Sequence, residues 1–250
     1  DDLKLAGVDA EVKRTLKILE HHFDQLKLER DNFEHLGLKH SLSADGSRFV
    51  SQAHYVSELK PIPDKDLKLQ DPKTPVDEGV HDKFRSLLGG VAWVTQTRPD
   101  VAVFVSALQR KMKAPTAGDV VNLNRVLKYL KVKPLDVVYK KLEGPWSIVA
   151  IADSSFKGED QEHTAVRSGI IALTSRAGPR VGVNKLQVLE YVSKKQSKVC
   201  RSTYAAELHS ALDLMGIATI INSAMTEIHT GPKTAVELVR IQDSGENALK

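Results

Sequence analysis

Cysteine is nearly absent from this chain, with Cys200 alone among 250 residues. One cysteine excludes a disulfide framework and any all-cysteine zinc site, and it suits a reducing compartment. Aromatic residues make up only 5%. No uninterrupted apolar run approaches the roughly 18–20 residues of a membrane span. No signal peptide opens the chain, so an intracellular protein of cytoplasm or nucleus, with no membrane partner, is expected. A glycine-rich phosphate loop is missing too, and no histidine stands at a zinc spacing from a cysteine. Charge of neither sign dominates, with Lys+Arg 36 against Asp+Glu 32 and a net charge of +4. That balance permits a nucleic-acid partner without arguing for one.

What is present is the material of a folded protein. The chain is 41% hydrophobic and 27% charged, which excludes wholesale disorder. It has enough apolar residues for one large domain or two modest ones. It opens at Asp1 without a methionine and reads as a piece of something longer.

Residues 1–60 read as a small helix-and-strand unit. Val12, Leu16, Leu19, Phe23 and Leu26 recur at steps of four and three, which places them on one helix face. Phe33 to Leu42 reads as a strand, Asp45-Gly46 as a hairpin turn, and Arg48 to Ser51 as the returning strand. Four of the ten prolines (Pro61, Pro63, Pro72 and Pro75) then fall in residues 61–80. That density marks an extended linker without a core of its own.

Residues 81–134 read as helical. Phe84, Leu87, Leu88 and Val91 form one stripe, Val101, Phe104, Val105, Leu108 and Met112 a second, and Leu123, Val126, Leu127 and Leu130 a third. Pro99 and Asp100 suit the first turn of the middle helix. Three short helices make a small bundle. Lys111, Lys113, Arg125, Lys128, Lys131 and Lys133 form either a basic face on it or an ordinary solvated surface.

Past Gly144-Pro145 the period becomes strand-like, with runs at Ile148–Ala152, Gly169–Leu173 and Leu186–Val192. A helix from about Ser202, its N-cap, buries Ala205, Leu208, Leu212 and Met215. Val236 to Ile241 reads as a last strand ending at Asp243. Strands, then a helix, then a strand make an α/β unit over residues 145–250.

The chemistry on offer is carboxylate chemistry. Cys200 has no nucleophile signature and reads as a packing residue. Asp153 closes one apolar strand, Glu207 lies near the start of the helix, and Asp243 closes the last strand. Acids at strand ends project into a shared cleft, and converging carboxylates hold hard divalent cations. Two such ions activate a water and stabilise the leaving oxygen in phosphodiester cleavage. Spacing alone favours three solvated end caps over a metal site.

Motifs in order add to this. Phe84-Arg85-Ser86-Leu87-Leu88-Gly89, Thr97-Arg98-Pro99-Asp100-Val101-Ala102 and Arg125-Val126-Leu127-Lys128-Tyr129-Leu130-Lys131 resemble the region after the palm of copia-type retrotransposon reverse transcriptases. Ala152-Asp153-Ser154-Ser155, Arg167-Ser168-Gly169, Ser193-Lys194-Lys195-Gln196 and Ser202-Thr203-Tyr204-Ala205-Ala206-Glu207 resemble the RNase H domain of the same Pol polyproteins. Asp1-Asp2-Leu3 is similar to the family's catalytic palm turn, in which the aspartates bind polymerase metal.

The resemblance implies an α/β, RNase H-like mixed-sheet domain preceded by the end of a palm and a helical thumb or connection. It implies Asp153, Glu207 and Asp243 as catalytic ligands of Mg²⁺ or Mn²⁺, with Asp1 and Asp2 as palm metal ligands. The family places a fourth acid beyond Asp243, and often a second aspartate where this chain has Ser155. The implied partners are an RNA–DNA hybrid and the remainder of the Pol polyprotein. The parent would combine RNA-directed DNA synthesis with hydrolysis of RNA in hybrids, while these residues alone extend no primer. Backbone readout needs sugar and phosphate contacts rather than base contacts. Ser154, Ser155 and Asn184 are the candidate donors, with Lys194, Lys195, Lys198 and Arg201 as a basic approach. Two rivals remain: an inactive element remnant that binds nucleic acid or only folds, and an unrelated metal-dependent phosphodiesterase on the same fold.

Overall fold

A computed structural model of the chain describes residues 3–67, 71–156, 165–175, 186–230 and 240–243, with backbone alone at 66–67, 230 and 240–243. It resolves into two compact units. One comprises Asp1–Arg98 with Lys111–Tyr139, and the other Pro99–Arg110 with Lys140–Lys250.

The first unit opens with α1 (Asp9–Phe23), which stops where Asp24 takes a positive φ of 58°, short of Leu26. The expected strand Phe33–Leu42 is in fact two, β1 (Phe33–His35) and β2 (Leu38–Leu42), paired antiparallel. Leu36 and Gly37 between them both have positive φ, 51° and 70°. Two successive residues in that region suit the right-handed twist of a tight hairpin, and a leucine in the first position hides the signal. The Asp45-Gly46 turn leads, as read, into β3 (Arg48–Ser51), with Gly46 at φ 80°. The Asp45 carboxylate accepts from the Ser47 amide and hydroxyl, both at 2.9 Å, and these bonds hold its pKa down. A fourth strand, β4 (Val137–Tyr139), completes the antiparallel order β1-β2-β3-β4. Three residues are too few for period alone to announce a strand.

Three helices belong to this unit's remainder: α2 (Ala53–Glu58), α3 (Glu78–Val94) and, later in the chain, α5 (Ala117–Val132), after α4 (Ala102–Arg110) in the other unit. Asp77 caps α3 by accepting from Val80 N at 2.9 Å. Thr116 and Asp119 form a capping box on α5. The stripes of α3 and α5 bury much as read: Phe84, Leu88, Val91, Leu123, Leu127 and Leu130 are each at most 1% exposed.

The proline-rich stretch is extended but not unattached. Ile62 is buried, and its N–H and C=O bond the Asn124 side chain at 3.0 and 2.8 Å. Ala117 N and Gly118 N, orphan donors of the first turn of α5, give their hydrogens to the carbonyls of Thr74 and Pro72, both at 2.9 Å. Arg98 is buried as well. It donates to Lys133 O at 2.7 Å and lies 5.3 Å over the Tyr129 ring.

In the second unit, Pro99–Val101 forms a 3₁₀ turn leading into α4. Contrary to the expected stripe, Phe104 and Met112 are exposed, and Val101, Ala102, Val105 and Leu108 are the buried positions. This helix packs on β7 (Gln187–Lys195) and groups with the second unit instead of with α3 and α5. Strands β5 (Trp146–Ser155), β6 (Val166–Ser175) and β7 run antiparallel in sequence. The 28-residue helix α6 (Thr203–Thr230) follows, and then β8 (Arg240–Asp243) lies parallel to β5. The sheet order β7-β6-β5-β8 is therefore mixed, as the α/β reading required. The 236–239 part of the expected last strand lies outside the described residues.

Ile148, Ala150, Ala152 and Ile171 meet Leu214 and Ala218 of α6 in the core. This corrects the sequence reading of the helix, because Leu208, Leu212 and Met215 are 40–48% exposed. The buried line is Ala206, Ser210, Leu214, Ala218 and Asn222. The helix is apolar around much of its girth, so periodicity gives it no unique phase. By length and composition Thr203–His229, at mean hydropathy 1.2, is also apolar enough to cross a membrane, although its polar residues interrupt every long apolar run. The same criterion is met by core helices, and here one face lies on the sheet.

Gly169 sets that approach. A Cβ there would lie 2.6 Å from Leu214 Cδ2 and 2.8 Å from the carbonyl oxygen of Ile151. Gly169→Ala is therefore expected to destabilise the second unit by about 1–3 kcal/mol through overpacking, read as a lowered urea midpoint; an unchanged midpoint would refute the tight contact.

In the first unit His40 is buried, stacked 4.7 Å from Phe33, and its Nε2 has no hydrogen-bond partner among the described residues. Burial lowers its pKa below 6.5, with Lys4, His35 and Arg48 adding repulsion. A depressed folded pKa means that its contribution to stability is present above the unfolded value and lost as pH falls through the folded one. Acidification from pH 7.5 to 5.5 should thus lower the unfolding midpoint more steeply in wild type than in His40→Phe, which keeps the stack. Parallel slopes would remove the effect.

Candidate active site at one end of the mixed sheet

The second unit gathers its polar motifs at one end of the sheet. β5 continues past the expected boundary to Ser155, so Asp153 is inside the strand rather than at its close. In register it pairs with Ser168 of β6, and the next two rows run Ser154–Arg167–Lys194 and Ser155–Val166–Lys195. The parallel partner β8 sets Asp243 opposite Ala152, one residue from Asp153. The N-terminus of α6 arrives at the same end.

The strand pleat separates the residues of Asp153-Ser154-Ser155. Ala152 faces α6 in the core, and Ser154 follows it on that face; its hydroxyl is buried without a hydrogen-bond partner among the described residues. Asp153 and Ser155 leave on the other face and are exposed. Ser154 is therefore placed away from Ser155, not beside it as a second exposed donor. Asp1, Asp2 and Asn184 lie outside the described residues, as does the side chain of Asp243.

Glu207 is half-buried and sits one turn before Ser210 on the sheet-facing side of α6. Ser210 anchors that side: its hydroxyl donates to Asp153 O at 2.7 Å and to Ser168 O at 3.3 Å. Helix and strand are thus tied at the Asp153 backbone. A second tie is the ion pair of Arg167 with Asp213. Neither Ser210 nor Asp213 announces itself in the sequence, because each looks like a polar interruption of an apolar helix.

Basic groups occupy the same end. Lys194 and Lys195 close β7, and Lys198 and Arg201 lie exposed in the connection to α6. They can attract a polyanion, with strong salt dependence. The acids offer hard carboxylate oxygens, the donor type that Mg²⁺ and Mn²⁺ prefer. Among the described residues no group of three or more His, Cys, Asp or Glu stands in metal-holding geometry. Asp153 and Glu207 carry that donor type at this sheet end, Asp153 from the face away from α6 and Glu207 from α6 itself.

Comparison with known proteins agrees with the motif order. No protein-family model matches the chain. It is 26% identical over 246 residues to the retrovirus-related Pol polyprotein from transposon RE2 of Arabidopsis thaliana, covering 91% of this chain and 16% of that protein. The corresponding polyprotein from transposon RE1 of the same plant is 24% identical over 247 residues, with the same coverage. The uncharacterized mitochondrial protein AtMg00810, also from Arabidopsis thaliana, is 25% identical over 172 residues, 64% of this chain and 66% of its own length. The chain spans about a sixth of the two polyproteins (16%). Taken with its ordered motifs, the chain is a homologue of the retrovirus-related Pol polyproteins of transposons, and the copia-type resemblance holds.

Proposed function

We propose that the chain is the reverse transcriptase–ribonuclease H segment of a retrotransposon Pol polyprotein, and that its second unit hydrolyses the RNA strand of RNA–DNA hybrids. The observation that carries this reading is that the positions of all three acids lie at one end of the mixed sheet, with Asp153 on the face away from α6. Asp153 and Asp243 lie on neighbouring parallel strands one residue apart in register, and α6, which bears Glu207, is bonded to the Asp153 backbone. The mixed order β7-β6-β5-β8 supports an RNase H-like fold for this unit. The first unit then contributes the palm end and thumb or connection of the parent's RNA-directed DNA polymerase, with Asp1 and Asp2 as palm metal ligands.

Asp153, Glu207 and Asp243 would hold Mg²⁺ or Mn²⁺, which when bound activates a water and offsets charge on the leaving oxygen. The chain's own residues bind and orient. Lys194, Lys195, Lys198 and Arg201 draw in the sugar–phosphate backbone, and Ser155 donates to it. Recognition of backbone and 2′-hydroxyl needs no base contact, so cleavage has no sequence preference. The partners in this reading are the hybrid and the rest of the polyprotein. The compartment is intracellular, where a lone buried thiol such as Cys200 stays reduced.

One observation favours a second reading: Asp153 leaves β5 on the face away from α6, the helix that bears Glu207. A remnant that binds nucleic acid, or only folds, would look the same.

The purified chain, incubated with labelled RNA–DNA hybrid and Mn²⁺ or Mg²⁺, is expected to cut the RNA strand alone. Asp153→Asn should slow this by roughly a hundredfold or more, since even outer-shell partners of metal ligands cost 10–100-fold. Equal cutting by the variant would remove Asp153 from the chemistry. Binding of hybrid without any cutting would favour the remnant, and preference for an all-DNA duplex would favour a different phosphodiesterase.

A further inference from the structure

In the Ser193-Lys194-Lys195-Gln196 stretch, Gln196 is a polar residue with no part in the chemistry above. Gln196 follows β7 and is 5% exposed. A buried amide has to satisfy both a donor and an acceptor group, and Gln196 satisfies each with a different segment. Its Nε2 donates to Ala206 O at 2.8 Å, and its Oε1 accepts from Cys200 Sγ at 2.8 Å. Its backbone N–H donates to Ala165 O at 2.8 Å. Ala165, Cys200 and Ala206 are buried together, with Phe156 and Ala205 packed against them.

One residue therefore joins the end of β7, the lead-in to β6, the connection holding Cys200, and the first turn of α6. On the same turn Ala205 N donates to Ser202 Oγ and Ala206 N to Ser202 O, both at 3.1 Å. The tie from Gln196 runs from this turn to the sheet's edge. It acts on the carbonyl of Ala206, whose second lone pair remains for the helix ladder.

We propose that Gln196 is a positioning residue for the site: it pins the first turn of α6 to the sheet and thereby fixes Glu207, the next residue after Ala206. The proposal rests on the hydrolytic reading above for its consequence, though not for the clamp itself. A metal ligand has to be held to within about half an ångström by its supporting shell, and Glu207 is carried on a helix end, where fraying begins. Ser210 secures the following turn, so loss of the clamp should be felt at Glu207 and fade beyond Ser210.

The experiment compares wild type with Gln196→Ala and Gln196→Glu. The glutamate variant keeps the length of the side chain and an acceptor for the Cys200 thiol, while losing the donor to Ala206. Amide hydrogen exchange is followed along α6, beside cleavage of an RNA–DNA hybrid at varied Mn²⁺. In both variants exchange at residues 206–210 is expected to speed up by roughly tenfold or more, a local opening that leaves residues 218–226 protected. Cleavage should show a lower kcat at unchanged KM, with the shortfall narrowing as Mn²⁺ is raised. Unchanged exchange at 206–210 would overturn the clamp, and so would a uniform loss of protection along the whole helix, which marks general structural support. A rise in KM alone would overturn the link to Glu207. A wild type that cuts nothing defeats the hydrolytic reading, while local loss of protection still establishes the clamp.

Discussion

The second unit depends on the contact between Leu214 of α6 and the backbone at Gly169 and Ile151. Gly169 leaves no room for even a methyl group, and its cross-strand partner is the small Ala152. Two small residues side by side make a shallow seat in the sheet. The helix settles into it with Ala206, Ser210 and Ala218 on the same line. At that distance the Ser210 hydroxyl reaches the carbonyls of Asp153 and Ser168, which a helix lifted by larger side chains would not permit. Close packing and polar anchoring are therefore one feature, and the position of Glu207 follows from it.

A different economy of hydrogen bonds holds the first unit's irregular segment. The stretch before α3 contributes both carbonyls and amides, Val76 N donating to Pro115 O at 3.1 Å. The first turn of α5 has amides with no helical partner, and Thr74 and Pro72 accept from them. Asn124 does the reverse service for Ile62 by matching both its donor and its acceptor. An extended segment with little apolar area thus becomes part of the fold through satisfied polar groups. Arg98 acts similarly at the other end of α5, where its buried guanidinium meets the carbonyl of Lys133.

Much of this was readable in the residues. The hairpin at Asp45-Gly46, the stripes of α3 and α5, the three strand runs after residue 145 and the Ser202 cap were legible because each is a local pattern with a local cause. The ordered motifs also point to the Pol polyproteins, and the relatives at 24–26% identity agree. The hairpin at Leu36-Gly37 was not legible, because leucine seldom takes a positive φ and gives no turn signal. Neither was the burial of Gln196, since a glutamine after two lysines looks like more of a solvated loop.

The sequence by itself determined most of the longer helices and strands, the Asp45-Gly46 turn and the Ser202 cap, and which acids and bases are available for chemistry. Only the tertiary structure decided which face of α6 is buried, that α4 joins the second unit, and that Ser154 and Ser155 lie on opposite sides of β5. The physical reason is that periodicity specifies a face only when the other face is polar. On α6 and α4 apolar residues occur on several sides, so the phase is chosen by fit against a partner: the seat at Ala152 and Gly169 for one, and β7 for the other.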